Sequence, residues 1–143
     1  NFQKENGHFF PAMITKFEEA IKKKKNEITL LGTGKPLREF IHADDLASAI
    51  IFSLNINKKQ IKNFFRSSMP ILNIGTKDIV SINQLSKLIA EFTGFKGKIN
   101  FDKQSPDGTF KKDLDISKVT KLGWSSKVKL FDGLKKVIEK RKR

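Results

Sequence analysis

Proton transfer near neutral pH asks for an imidazole, a thiol, or a carboxyl or amine held away from its ordinary pKa. Two imidazoles are present, His8 and His42, and there is no Cys or Tyr. Without Cys there is no disulfide, thiolate-bound zinc, iron–sulfur cluster or thiol nucleophile within these residues, and two histidines are too few for a histidine-built metal site. His8 opens an apolar stretch, where an ordinary helix-cap histidine is the plain reading. The second available chemistry is anion recognition. Lys and Arg number 29 against 15 acidic residues, a formal charge of +14, and such a surplus attracts phosphate, nucleic acid or anionic membrane surfaces. Yet only Arg38, Arg66, Arg141 and Arg143 carry the planar fork that grips phosphate in two places. The 13 Phe with no Tyr read as compositional drift. Solvated surface charge is therefore the simplest account, and a mononucleotide-phosphate site served by a few of these cations fits equally well.

The elements that must position such groups follow from periodicity. Phe9, Phe10, Met13, Ile14, Phe17, Ala20 and Ile21 share one face of a helix over Phe9–Lys25, with Pro11 in its first turn. Glu27–Leu31 reads as a strand, Gly32-Thr33-Gly34-Lys35-Pro36 as a turn and Arg38–His42 as a short β stretch. Asp44 and Asp45 are expected to cap a helix reaching about Leu54. Asn55–Pro70 reads as a polar surface connection and Ile71–Ile74 as a buried strand. Ser81 starts a helix that stops at Gly94. Lys98–Phe101 is a strand, and Asp102–Lys112 a loop around Ser105-Pro106-Asp107-Gly108-Thr109. Short helices close the chain at Ser117–Leu122 and Leu130–Lys140, with Trp124 between them as a core anchor. The class is α/β. At 143 residues the chain is one domain by a prior of roughly 100–200 residues each, and it begins without Met in a polar segment, as a piece of a longer protein would. No apolar run approaches the ~18–20 residues of a membrane span, and no signal-peptide pattern opens the chain.

Several of these segments occur together in a specific order. They are Asn6-Gly7-His8-Phe9-Phe10-Pro11-Ala12, then Gly32-Thr33-Gly34-Lys35-Pro36-Leu37-Arg38-Glu39-Phe40-Ile41-His42-Ala43-Asp44-Asp45-Leu46-Ala47, then Leu72-Asn73-Ile74-Gly75-Thr76, Ser105-Pro106-Asp107-Gly108-Thr109 with Lys112, and Leu122-Gly123-Trp124. In this order they closely resemble the C-terminal portion of the GDP-L-fucose synthase family, within the extended short-chain dehydrogenase/reductases that act on nucleotide sugars. The long Gly-to-Ala stretch is shared by many nucleotide-sugar epimerases and dehydratases. The Asn-x-His-x-x-Pro segment and the Pro-Asp-Gly-Thr loop followed by Lys narrow the resemblance to fucose synthase.

The resemblance implies an enzyme that epimerises GDP-4-keto-6-deoxy-D-mannose at C3 and C5 and then reduces C4 with NADPH, giving GDP-L-fucose. It implies His8 as the acid of epimerisation, lying against the nicotinamide and so also touching NADP. It implies GDP-sugar contacts at Lys16, Leu31, Arg38, Asp107 and Lys112. Lys16 stands where the family usually has an Arg, keeping the charge without the fork. Leu31 stands where bacterial members have a stacking Trp, which leaves an apolar contact. Arg38 would hold the diphosphate, and Asp107 would accept from the guanosine. Without the resemblance, Arg38 is a cation at a strand start and Asp107 an ordinary turn residue. His42 is expected to orient its loop by hydrogen bonding.

The family also needs a Gly-rich turn for the NADPH pyrophosphate, a Tyr-x-x-x-Lys pair, a Ser and a Cys base. Gly32-x-Gly34 is not that turn, since Pro36 and Arg38 follow it. The expectation is therefore a substrate-binding C-terminal portion over residues 1–143 without its Rossmann cofactor domain, inactive alone, cytoplasmic, and homodimeric as part of the intact enzyme. The helix Phe9–Lys25 and the short strands would then pack on the absent sheet, leaving apolar surface exposed. A related nucleotide-sugar epimerase or dehydratase, or a GDP-sugar-binding module without catalysis, are the competing readings. A dedicated nucleic-acid or membrane partner is not expected.

Overall fold

The computed structural model describes residues 8–66 and 69–142. Asn6 and Gly7 of the first motif therefore lie outside the described residues. Six helices and five strands follow one another: α1 (Phe9–Lys22), β1 (Glu27–Leu31), β2 (Leu37–Glu39), α2 (Ala43–Asn55), α3 (Lys58–Phe64), β3 (Ile79–Ser81), α4 (Ile82–Thr93), β4 (Lys98–Asp102), β5 (Lys111–Lys112), α5 (Ser117–Lys121) and α6 (Leu130–Arg141). The arrangement is α/β, and the described chain divides into two compact units.

The first unit comprises residues 8–38, 80–112 and 134–142. Strands β1 and β4 pair in parallel, with Ile28 opposite Ile99 and Leu31 opposite Asp102. The strand β1 alternates, burying Ile28 and Leu30 while Glu27, Thr29 and Leu31 face outward. Helix α1 covers the inward face with Met13, Ile14, Phe17 and Ala20, and α4 adds Leu85 and Ile89. Leu134 and Ile138 complete the core. Phe17 meets Phe95 edge-on at 5.5 Å. Each such side chain contributes about 1.5–3 kcal/mol by leaving water. The middle of the α1 face is thus covered within its own unit by α4 and β1, while Phe9 and Ile21 at its two ends stay exposed.

The ends of these helices explain their lengths. Lys24 adopts φ +50°, and its neighbour Lys25 donates from N to Ala20 O at 2.8 Å, a left-handed reversal that stops α1 three residues short of the expected Lys25. Ser81 and Gln84 form a reciprocal capping box that starts α4, as the sequence indicates.

The second unit comprises residues 39–79 and 113–133. Its core holds Ala49, Ile116, Val119 and Trp124, with Ile41, Phe52, Leu72 and Ile74 packed against them. Trp124 is the expected anchor, and its Nε1 donates to Ser48 Oγ at 3.0 Å. Three carboxylates tie its loops by accepting backbone N–H groups. Glu39 takes those of Thr76, Lys77 and Leu114. Asp45 takes Lys127 and Val128, and Asp78 takes Leu130. Such bonds satisfy loop donors that no strand ladder reaches.

Three expectations change. Ile71–Ile74 forms no strand. Leu72 and Ile74 do turn inward, but no neighbouring strand among the described residues takes up their backbone, and the strand lies at Ile79–Ser81 instead. The stretch expected at Arg38–His42 is Leu37–Glu39, in a small sheet of order β3-β2-β5, so the loop Asp102–Lys112 ends in a strand. The polar connection Asn55–Pro70 contains α3, begun by a capping box between Asn57 and Gln60. Helix α2 leaves Leu46, Ile50, Ile51 and Leu54 at 42–80% exposure, an apolar stripe with no cover among the described residues.

Candidate functional site

All six residues singled out in the sequence belong to the first unit. Strand β1 ends at Leu31, and Gly32 turns the chain with φ +82°, donating from N to Asp102 O at 3.0 Å. A Cβ on Gly32 would lie 2.5 Å from Asp107 Oδ1, and one on Gly34 (φ +75°) 2.6 Å from the Phe101 ring. Both the left-handed backbone and the close approach therefore require glycine here. From the other side, Asn83 N donates to Gly34 O at 2.9 Å and Ile82 N to Pro36 O at 3.0 Å. The loop is held between the start of α4 and the Asp107 turn.

This frame carries cations. Strands β2 and β5 run parallel with Arg38 opposite Lys112 and Leu37 opposite Lys111. Residues facing each other across a ladder project to the same side of the sheet. Arg38 is half-buried, and its Nη1 donates to Leu37 O at 2.7 Å. Lys112 and Lys35 are exposed. Asp107 does not stand open as a turn residue would. Thr33 N donates to its Oδ1 and Thr33 Oγ1 to its Oδ2, both at 2.6 Å. These bonds hold the Asp107 carboxyl below its ordinary pKa, with the side-chain bond the stronger influence and the nearby Lys35 and Arg38 charges adding to it.

The remaining three residues lie outside the β2–β5 pair, on α1, at its N-cap and on β1. Lys16 projects from α1, donates from Nζ to Thr29 O on β1, and borders a groove of about 610 Å³. Leu31 is 71% exposed and shares the outward face of β1 with Thr29. His8 is the exposed N-cap of α1, and its ring makes no capping bond. His42 differs sharply. It caps α2, its Nδ1 accepting from Asp44 N at 3.2 Å, and the ring lies against Gly133. Asp44 and Asp45 are therefore not the caps: the imidazole fills that position, and the Asp45 side chain points inward to the Lys127–Val128 backbone. Thr33 and Lys35 were not singled out as site residues, although both stand inside the Gly-x-Gly-x-Pro motif, the only signal that marks them.

Acid should loosen this frame and, in the second unit, the start of α5. Asp102, Asp107 and Asp115 are all held below their ordinary pKa by hydrogen bonds, from Ser105, Thr33 and Ser117 first. Groups with a lower pKa folded than unfolded give stability that is complete above about pH 4 and is lost as pH falls through the folded values. The melting midpoint is expected to be flat from about pH 6 to 4.5 and to fall below about pH 4. A midpoint that rises on acidification would contradict this.

The chain matches the NAD dependent epimerase/dehydratase family over residues 1–75. It is 43% identical to GDP-L-fucose synthase 1 of Arabidopsis thaliana, over 94% of this chain and 39% of that protein. It is 35% identical to the GDP-L-fucose synthase of Escherichia coli, over 94% of this chain and 42% of that protein. Among solved structures, a GDP-L-fucose synthetase from Naegleria fowleri bound to NADP superposes with a TM-score of 0.81 at 26% identity, over 97% of this chain and 41% of that one. The chain thus spans about two-fifths of the length of these relatives. With the α/β fold, the glycine-framed loop and these likenesses together, the chain belongs to the NAD dependent epimerase/dehydratase family.

Proposed function

We propose that this chain is the GDP-sugar-binding C-terminal portion of an enzyme that epimerises GDP-4-keto-6-deoxy-D-mannose at C3 and C5 and reduces it at C4 with NADPH. The observation that carries this is the β2–β5 register, which sets Arg38 opposite Lys112 so that both cations project to the same side of the sheet, where one diphosphate could take both. The relatives' names supply the sugar nucleotide and the likeness to an NADP-bound structure supplies the cofactor. Leu31 offers an apolar surface to the substrate. Lys16 adds charge beside β1, and Asp107 lies within the same frame.

The chemistry assigned to these residues is limited and specific. A ketone at C4 acidifies the C–H bonds at C3 and C5. A base removes one proton, and His8, protonated at its ring, returns a proton to the carbon from the opposite face. The imidazole can take up its proton again from solvent because it is exposed. The described residues contain no glycine turn leading from a strand into a helix, since Gly32 and Gly34 lead through Pro36 into β2. NADPH would supply the hydride for C4, a step these residues do not themselves perform. We assign the rest of the cofactor site, and the homodimer of a cytoplasmic enzyme, to the intact protein.

Binding of GDP to the intact protein tests the reading. A charge-assisted fork contributes about 1.5–3 kcal/mol, so Arg38→Ala is expected to weaken GDP binding by about 10-fold to 100-fold in calorimetry. Unchanged affinity would remove Arg38 from the site and with it the main support for the reading.

A further inference from the structure

We propose that Asp107 and Thr33 form a positioning clasp for the diphosphate-binding loop, with the Asp107 carboxylate holding the loop rather than touching the nucleotide. This rests on the reading of Arg38 and Lys112 as the diphosphate grip. It departs from that reading's family-based assignment of Asp107 as an acceptor for the guanosine.

Both carboxylate oxygens are engaged, one by the Thr33 amide and one by its hydroxyl, each at 2.6 Å. The side chain is seated against Gly32 so closely that a Cβ there would overlap Oδ1. Each oxygen already accepts one charge-assisted bond, stronger than a neutral one, so the orientation of the carboxylate is set by the chain before any ligand arrives. A bare carboxylate beside a bound diphosphate would also repel it. Tied to Thr33, the same charge is spent on donors of the chain.

The position of the clasp gives it leverage. Thr33 lies two residues before Lys35 and five before Arg38, and Thr33 Oγ1 also receives Lys35 N at 3.3 Å. Asp107 lies five residues before Lys112. The Leu37 N to Phe110 O bond, 2.7 Å, closes the ladder just beyond it. The clasp therefore joins the segment bearing Lys35 and Arg38 to the segment bearing Lys112, at the open end of the β2–β5 pair. The β2–β5 ladder pairs only two residues and β5 is the sheet's edge, so this second tie helps to fix the register that aligns the two cations.

Calorimetry with GDP on the intact protein, alongside melting midpoints, tests it. Thr33→Val and Asp107→Ala are each expected to weaken binding by about fivefold to tenfold. The double variant should be no more than about twofold worse than the weaker single, because partners in one interaction do not add. Thr33→Ser, which keeps the hydroxyl, should stay within about twofold of the parent, a rescue that general loop damage would not give. Asp107→Asn serves where Asp107→Ala lowers the midpoint, and should fall on the same side. If Thr33→Val binds GDP normally while Asp107→Ala does not, or if the two effects multiply, Asp107 acts on the nucleotide directly and the clasp is wrong. If Arg38→Ala weakens binding and Thr33→Val does not, only the clasp fails. If the parent does not bind GDP, the functional reading fails and takes the clasp with it.

Discussion

Replacing His8 by Asn is expected to slow epimerisation by about 10²-fold to 10⁴-fold, the usual contribution of a positioned proton donor. The measurement is the wash-in of deuterium from solvent at C3 and C5 of the GDP-4-keto sugar, followed by NMR on the intact protein. GDP affinity should change by less than about twofold, because the cations assigned to the diphosphate stand on β2 and β5, not on α1. The structure distinguishes the two imidazoles on physical grounds. The Nδ1 of His42 is committed to the amide of Asp44, and its ring packs on Gly133, so it holds a helix end. His8 occupies a cap position without using its ring as a cap, and it is exposed at the start of a helix anchored by the buried Met13, Ile14, Phe17 and Ala20. A side chain placed with such a firm support and no structural employment among the described residues is available for chemistry. A wash-in rate within about threefold of the parent would show that His8 is no proton donor.

Much of this arrangement can be read from the sequence because its causes are local. The stripe from Met13 to Ala20 fixes the buried face of α1, and the Ser81–Gln84 box fixes the start of α4. The glycines of the Gly32–Pro36 motif announce a turn. Helix α3 escaped because none of its residues is buried, so no stripe marks it, although Asn57-x-x-Gln60 had the spacing of a capping box. The Ile71–Ile74 segment shows the converse. Alternation predicts which side chains turn inward, and Leu72 and Ile74 do so, but a strand also needs a neighbour, and alternation does not reveal one. Strands β2 and β5 are three and two residues long, too short for any period to register. The ties that build the site are the least readable of all. Thr33 and Asp107 are 74 residues apart, and Asp45 and Val128 are 83 apart. A carboxylate that binds distant backbone looks in sequence like any other surface acid.

Asp45 provides the second large effect, and it follows from that last class of contact. Removing the side chain by Asp45→Ala should lower the stability of the intact protein by about 3–5 kcal/mol, since two hydrogen bonds to an ionised acceptor are lost at about 1.5–3 kcal/mol each. The residue is only 3% exposed, and its two oxygens receive the amides of Lys127 and Val128 at 3.0 and 2.9 Å. Those amides lie in a stretch that belongs to no strand or helix, so no backbone ladder replaces the carboxylate once it is gone. At about 3–4 °C per kcal/mol for a domain near this size, the melting midpoint should drop by roughly 10–20 °C. Asp45→Asn keeps one acceptor oxygen but sets an amide NH₂ against a backbone donor, so it should recover no more than about half of the loss. Its neighbour supplies the contrast. Asp44 is exposed and its side chain reaches the His42 ring at 3.5 Å from the open surface, so Asp44→Ala should shift the midpoint by less than about 2 °C. Were the two substitutions to cost the same, Asp45 would be an ordinary first-turn acid acting on the helix dipole, and the strap from Trp124 to Val128 would owe its position to something else.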